Sequence, residues 1–524
     1  MIEFDPVLVH EWLRRSAKRF PNKTALICGQ ERLTYKTIDH RSDRLAQALI
    51  DAGVERHDRI VVLLDNSCES VISLYGILKA GAAFVILDGS VKSLKLKYVL
   101  GNTEAKVFIT HTNKAKVVVG AFTDNPNKCR IIWVGRQTQV PASLKSSSLS
   151  WDTIFANDAG YNHELPRCID EDLAALIYTS GSTGEPKGVM TTHHNMISVA
   201  KSVIEYLGNE ENDVILNVLP LSFGYGLYQV IMAFMFGGTV VLEKSFFYIY
   251  PLLELIRREK ITGFPMVPTI VAMLLKLEDL GKFDFSSVRY ITNAGAALPA
   301  AHAKKIRELF PHIKIFSMYG LTECKRATYL LPEELDNRPD SVGGAIPNSE
   351  VFVVDENGCK VQPWQEGELV VRGSNVMLGY WNDPELTAKS YRPGRYPGQR
   401  ILYSGDFFRT DDQGFLYFLG RKDDMIKCRG ERVIAREVEN ILCTIAGVAE
   451  AAVTGVPDEV LGQAIKAFIV RAKDANLGEK DVLKYCSANM ETYMLPKHIQ
   501  FVDSLPKTPN GKIDRKKLKA GELE

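Results

Sequence analysis

Short apolar runs that stop at a small or polar residue alternate with helical patterns along this chain, and no other feature constrains its fold as tightly. RIVVLLD (59–65), AAFVILD (82–88) and AKVFIT (105–110) are separated by helical apolar spacing at about 67–80 and 92–101. Upstream, ERLTYKTIDHRSDRLAQALIDAGV opens as a short strand and continues with Leu45, Ala48, Leu49 and Ala52 at helical spacing until Gly53 stops it. The pattern restarts at VILNVLP (214–220), TVVLE (239–243), ITGFPMVP (261–268), VRYITNAG (288–295) and IKIFSMYG (313–320). Strand, helix and strand return to one sheet by right-handed crossovers, so the expected fold class is α/β, a large body of mostly parallel sheets flanked by helices. Sites in such sheets gather at the carboxyl ends of the strands.

From about residue 350 the texture changes: EVFVVDENG, GELVVRG and GFLYFLG read as strands separated by Asn-Gly, Glu-Gly and Gln-Gly turns. After GRKDDMIKCRGERV the chain returns to mixed signals, with helices at AREVENILCTI and near 479–489 and strands at VAEAAVTGV, KAFIVRA and HIQFVDSLP. The expectation is a β-rich subdomain at about 340–420, followed by an α+β unit. The basic, turn-rich tail SLPKTPNGKIDRKKLKAGELE reads most simply as a solvated end.

At 524 residues the chain is long enough for two to four domains, and 46% apolar with 24% charged residues is a globular composition. A net charge of +1 offers no electrostatic case for nucleic acid or an anionic membrane. Nine cysteines without a CxxC pair read as reduced thiols in the cytoplasm, and the charged start MIEFDPVLVHEWLRRSAKRF lacks the pattern of a secretory leader. The uncharged stretch between Asp213 and Glu243 raises a transmembrane alternative, but Asn217, Pro220, Ser222, Gln229 and its glycines favour buried core, so no membrane-spanning segment is expected.

The sharpest motif is Tyr178-Thr-Ser-Gly-Ser-Thr-Gly-Glu-Pro-Lys-Gly188, directly after the apolar run LAALI. Glycines let backbone N–H groups turn toward a polyphosphate and Lys187 supplies charge; a Walker A loop is excluded because Pro186 precedes the lysine and Gly188 follows it. The alternative is a flexible Ser/Gly linker. His193-His194 looks like a metal pair, but adjacent side chains diverge on a helix, so a polar helix start is the simpler reading.

Five segments recur here in one order: LIYTSGSTGEPKGVM, NAGAALP, SMYGLTE, YSGDFFRTDDQGFLYFLGRKDDMIKCRGERV and PKTPNGKIDRKKL. Through them, from about residue 25 to 518, the chain resembles the AMP-forming adenylating superfamily of acyl-CoA synthetases, nonribosomal-peptide adenylation domains and firefly-type luciferases. The resemblance implies activation of a carboxylic acid by ATP and Mg²⁺ as acyl-AMP, then transfer to the thiol of CoA or of phosphopantetheine on an acyl carrier protein. It implies that Thr179, Ser180, Ser182, Thr183 and Lys187 hold the β and γ phosphates, with Gly181 and Gly184 in the same nucleotide-binding loop. By the same resemblance Tyr319 stacks on adenine, Thr322 contacts the α-phosphate, Glu323 ligates the metal, Asp406 takes both ribose hydroxyls and Arg421 supports the sugar. Lys512 approaches the carboxylate and the bridging oxygen, where charge develops in the transition state. Taken singly, Tyr319 would be core, Asp406 a turn residue and Lys512 a solvated lysine; their joint order makes the site. An N-terminal domain over 1–422 and a mobile C-terminal domain over 423–524 are implied, turning at Asp423 between the two half-reactions, with the Ile426–Glu431 loop replacing Lys512 in the second pose.

The acyl pocket implied by the resemblance is lined by Phe223, Gly224, Tyr225, Tyr228, Ala294, Gly295, Met318, Arg326 and Ala327. Gly224 stands where amino-acid-activating relatives carry an aspartate for the substrate ammonium, so an α-amino acid loses its counter-ion. LPLSFGYGLYQ and YGLTECKRATYLLPEELDNRPDSVG look most like stand-alone acyl ligases of biosynthetic gene clusters. Arg326 would be costly to bury alone: either a nearby carboxylate pairs with it, or it awaits an acceptor on the distal part of the substrate. Runner-up readings are an amino-acid-adenylating carrier-protein ligase and an adenylate-forming enzyme without thiolation. A non-catalytic scaffold would have lost Lys512, Glu323 or Asp406, and all three are present.

Overall fold

The computed structural model describes residues 5–123, 129–156, 164–180, 185–246, 248–422, 425–428, 431–458, 461–473, 475–508 and 513–521. Gly181, Ser182, Thr183 and Gly184 of the expected phosphate loop, Asp423 and Lys512 lie outside them.

The alternating apolar runs form an 8-stranded sheet in the order Gly379–Tyr380, Pro186–Thr192, Leu173–Ser180, Ala83–Ile86, Arg59–Leu63, Val107–His111, Arg130–Val134 and Ser148–Ser150. The last six are parallel because helices such as Cys68–Lys79 and Ser93–Thr103 carry the chain back between them. The first two run antiparallel to their neighbours, so the sheet ends in a late-sequence strand.

A second, 14-stranded sheet takes Val214–Asn217, Thr239–Leu242, Gly263–Met266, Tyr290–Asn293 and Lys314–Tyr319 as parallel neighbours. The β-rich stretch is no separate sheet: Ser341–Ala345 pairs with Thr328–Leu330 on one side and with Leu416–Arg421 on the other, which splices it to the body. A 5-stranded sheet with the helices Ala435–Cys443 and Glu479–Asn489 makes the smaller C-terminal domain, with its own apolar core around Ile426, Val438, Leu442 and Ile465.

The two large sheets enclose the main core. Cys68–Lys79 is buried at every position except Glu69, and Gly224–Phe236 is buried almost all round, with Tyr75 stacked on Phe234 at 5.4 Å. The uncharged stretch is therefore interior helix and strand, and full burial of each large apolar side chain there contributes roughly 1.5–3 kcal/mol. Among the described residues no helix is long and apolar enough to cross a membrane. Asn66 joins the carboxyl edges of the two sheets: its amide donates to the carbonyls of Leu219 (3.0 Å) and Glu243 (2.8 Å) and accepts from the Leu221 N–H (3.0 Å). That fixes the backbone just ahead of Phe223 and Gly224.

His193 and His194 open the helix His193–Leu207, which Thr192 and Asn195 cap reciprocally. The buried His193 Nδ1 accepts the Val9 N–H at 3.1 Å, and its ring meets that of His10 edge-on at 5.7 Å. Burial pushes His193 down to about 4 and His10 well below the usual imidazole range. The pair joins two helices as neutral rings. Among the described residues no group of three or more His, Cys, Asp or Glu could hold a metal.

Candidate active site

The glycine-rich segment begins and ends in strands. Leu173–Ser180 reaches further than LAALI suggests and pairs antiparallel with Pro186–Thr192, which sets Thr179 opposite Lys187. β-Branched residues in both strands favour that pairing, so the side chains expected on one loop are divided between two strands and their connection. Lys187 points its ammonium toward the Tyr380 ring, 6.0 Å from the centroid. Tyr380 is held there because Gly379–Tyr380 pairs with Val189 and Met190 in the second strand. Its hydroxyl donates to Glu323 Oε1 at 2.7 Å. Burial, with the Glu323 carboxylate adding to it, raises the Tyr380 phenol, so it remains a donor at neutral pH.

Tyr319 ends the strand Lys314–Tyr319, as a site at the carboxyl edge of a parallel sheet requires. Its hydroxyl donates to Asp406 Oδ2 at 2.5 Å, while Arg421 Nε donates to Asp406 Oδ1 at 3.1 Å. Asp406 and Arg421 are register partners on adjacent antiparallel strands. Asp406 is 6% exposed, and burial raises its carboxyl despite Arg421 and Tyr319, which pull the other way. Both oxygens are thus engaged within the protein, and the remaining lone pairs are what a ligand could use. The Tyr319 ring packs edge-on to Phe408 at 4.9 Å and lies 6.0 Å from Phe418.

One tight loop separates two halves of the cleft. Between Tyr319 and Thr328 the chain reverses, with the Ala327 N–H donating to the Tyr319 carbonyl at 3.0 Å. A Cβ at Gly320 would collide with the Lys325 carbonyl, so only glycine fits there. Thr322 and Glu323 lie on the turn, and Glu323 faces Tyr380. Lys325, in the left-handed region at φ +58°, turns the opposite way. Its ammonium occupies the space that a Cβ at Gly224 would need, 5.6 Å from the Tyr228 ring centroid. Burial and the neighbouring Arg326 depress its pKa to about 8, with Glu323 opposing. Arg326 is 7% exposed, its guanidinium 5.1 Å from the Tyr225 ring centroid and its Nε without an acceptor. No carboxylate forms an ion pair with either cation among the described residues, so the internal ion pair considered for Arg326 is not present.

The remaining expected pocket residues divide. Phe223 packs edge-on to Tyr225, and Ala294, Met318, Tyr225 and Tyr228 share one cluster. Tyr225 donates to the Thr292 carbonyl at 2.9 Å, and the buried Tyr228 hydroxyl has no partner. Gly295, at φ +88°, carries the turn after Tyr290–Asn293. Ala327 is fully enclosed and packs with Val189, Cys324 and Val342. Extended chain alternates its side chains, and Arg326 already takes the pocket side. Lys325 and Tyr380 were not singled out by the sequence reading. The first had a signal, a second basic residue beside Arg326; the second is reached only through a long-range strand pair.

The AMP-binding enzyme family model matches residues 13–381, and the AMP-binding enzyme C-terminal domain model matches 437–512. The chain is 32% identical to 4-coumarate–CoA ligase 2 of Nicotiana tabacum, over 98% of this chain and 94% of that one. It is 28% identical to a linear gramicidin synthase chain of Brevibacillus parabrevis, over 97% of this chain and 10% of that much longer protein. An anthranilate CoA ligase solved with anthranoyl-AMP superimposes with a TM-score of 0.88 at 28% identity, covering 99% of this chain and 98% of that one. With both family models matched in order and the fold shared over nearly the whole of a solved relative, the chain belongs to the AMP-binding enzyme family, the AMP-forming ligases that activate a carboxylic acid with ATP before transfer to CoA.

Proposed function

We propose that this chain activates a small carboxylic acid other than an ordinary α-amino acid, using the residues on the Tyr319 side of the cleft for the nucleotide and those around Gly224 for the acyl group. The observation that carries this reading is the Gly320–Ala327 loop, which presents Glu323 to Tyr380 on one face and Lys325 to Gly224 on the other. In the first half-reaction a carboxylate oxygen attacks the α-phosphorus, the bond to the bridging oxygen breaks, and pyrophosphate leaves. In the second a thiolate attacks the acyl carbon and AMP leaves. Asp406 binds the ribose, with Tyr319 and Arg421 fixing its orientation; Lys187, Thr179, Ser180 and the 181–184 segment take the β and γ phosphates; Thr322 meets the α-phosphate. Lys512 neutralises charge at the carboxylate and bridging oxygen, which is where a cation lowers the barrier.

Mg²⁺ fits the donor set: it binds through one or two carboxylates plus substrate phosphates and water rather than an all-protein cage, and Glu323 offers one hard carboxylate beside Lys187. When bound, the ion would offset phosphate charge. The 423–524 unit, with its separate sheet and core, is the part that turns at Asp423, and phosphopantetheine on a carrier protein is a second acceptor of the same chemistry as CoA. Nine cysteines that form no disulfide suit a cytoplasmic setting. Amino-acid activation is disfavoured because an ammonium entering beside Gly224 would meet Lys325 instead of a carboxylate. Pyrophosphate release over a panel of carboxylic acids, with CoA and carrier proteins as acceptors, tests the reading. Thioester formation with a non-amino acid supports it; a common amino acid as preferred substrate, or acyl-AMP with no transfer to any thiol, overturns it.

A further inference from the structure

The Lys325–Arg326 pair takes no part in the scheme proposed above, yet it sets two cations side by side, Arg326 buried and Lys325 half-buried. Charge held so far from bulk water is costly unless an anion compensates it. The nearest carboxylate, Glu323, is hydrogen-bonded to Tyr380 and makes no ion pair with either cation, although its charge reaches Lys325. The polar neighbour of Arg326 is the neutral Tyr206 hydroxyl. Lys325 also holds a left-handed backbone that a lysine adopts only at a cost, and that turn is what carries its ammonium to Gly224. Two further groups face the same space without partners, the Arg326 Nε and the Tyr228 hydroxyl, both on residues more than nine-tenths buried. Two charged donors and one neutral hydroxyl, set against the rings of Tyr225 and Tyr228, form a cluster whose chemistry suits an anion carried on an otherwise apolar body.

Resting on the adenylating function proposed above, we propose that the substrate is a dicarboxylic acid: one carboxylate is adenylated, and the second is held by the Lys325 ammonium and the Arg326 guanidinium beside Gly224. The planar Arg fork accepts a carboxylate through two parallel N–H bonds, and the lysine adds a point charge at the second face. Gly224 is small because the lysine head needs the volume a side chain would fill.

The test compares linear α,ω-dicarboxylates from malonate to sebacate with their monomethyl esters, which keep length and one free carboxylate but lose the distal charge. The readout is kcat/KM for ATP-dependent pyrophosphate release, together with the rise in Tm produced by each acid with ATP. In the wild type one diacid is preferred over its half-ester by roughly thirtyfold or more, the scale on which a buried charged site rejects an uncharged analogue. Lys325→Met and Arg326→Met each collapse that ratio toward unity and abolish the diacid-specific Tm rise, whereas Lys325→Arg retains part of both. Gly224→Asp supplies an internal carboxylate beside Lys325 and also removes the preference, which covers the case in which the Met variants fold poorly. Half-esters or plain alkanoic acids used as well as diacids by the wild type overturn the inference alone. A ratio that survives in Lys325→Met, or an equal loss for diacid and half-ester, assigns the cations to the reacting carboxylate and overturns it too. Silence with every acid removes the adenylating reading and the inference together.

Discussion

The two halves of the cleft treat buried charge in opposite ways. On the nucleotide side each charged group rests on another protein group: Asp406 between Tyr319 and Arg421, Glu323 on Tyr380, Lys187 above the Tyr380 ring. On the acyl side Lys325 and Arg326 lie against aromatic faces and form no ion pair with a carboxylate among the described residues. A ribose or phosphate is common to every turnover, and groups that must greet it can be held in place beforehand by partners that share their lone pairs. The acyl-side cations can be satisfied only by a particular acid, so their desolvation acts as a filter. The lesson is that partnered groups define the common reaction, and unpartnered ones define the choice of substrate.

Four measurements put that contrast at risk. The largest effect is expected at the chemical step: Lys512→Ala lowers acyl-AMP formation by about a hundredfold or more, ~3 kcal/mol, with ATP affinity nearly unchanged. Unaltered isotope exchange between ATP and pyrophosphate would take Lys512 out of the mechanism. Next, Asp406→Asn keeps the shape but loses the charge that Tyr319 and Arg421 orient; kcat/KM for ATP falls by about 2–3 kcal/mol, while the ranking of acids stays as in the wild type. A changed ranking would show that the two halves are one site and erase the contrast.

Away from the cleft, His10 and His193 show a third way of burying titratable groups, by remaining neutral. His193 drops from 6.5 to about 4 on folding, so between those values the unfolded chain holds more protons than the folded one and stability falls as pH falls. For His193 alone this amounts to roughly 2 kcal/mol at pH 5 relative to pH 8, and His10 adds to it. In His193→Asn, whose amide oxygen can still accept the Val9 N–H, urea unfolding should lose most of that slope. An unchanged slope would place the acid sensitivity elsewhere. The smallest effect is at Tyr380→Phe, which removes one hydrogen bond to Glu323 and should cost about 1 kcal/mol in kcat/KM for pyrophosphate release. A loss as large as that of Asp406→Asn would mean that Tyr380 touches the nucleotide directly.

The parallel strands were readable from their apolar runs because each is buried on both faces and tolerates no interruption, as at RIVVLLD and VRYITNAG. The splice at Ser341–Ala345 was not, because a two-glycine strand carries no such signature and its partners lie far away in sequence. Within the site, Asp406 and Tyr319 were legible from their motifs, but their mutual hydrogen bond depends on two strands folding against each other. Lys325 escaped notice although Arg326 beside it did not. In an extended chain the two would point apart; the left-handed turn at 325 brings both to one recess, and nothing in the order Cys-Lys-Arg announces that turn.

The register pairing of Asp406 with Arg421 has a mechanical side. The strand Leu416–Arg421 ends on that rung, and the next strand in the chain, Met425–Cys428, already belongs to the C-terminal sheet. The pair proposed to grip the sugar is therefore also the last rung of the body's ladder before the chain enters the C-terminal sheet. If the small domain turns at Asp423 as proposed, Arg421 is the ladder residue two positions from the pivot, so the turn and its hold on Asp406 are coupled. On that proposal, rotation of the small domain and the grip on AMP act as a lever and its fulcrum, and the stroke that ends one turnover would loosen the spent nucleotide.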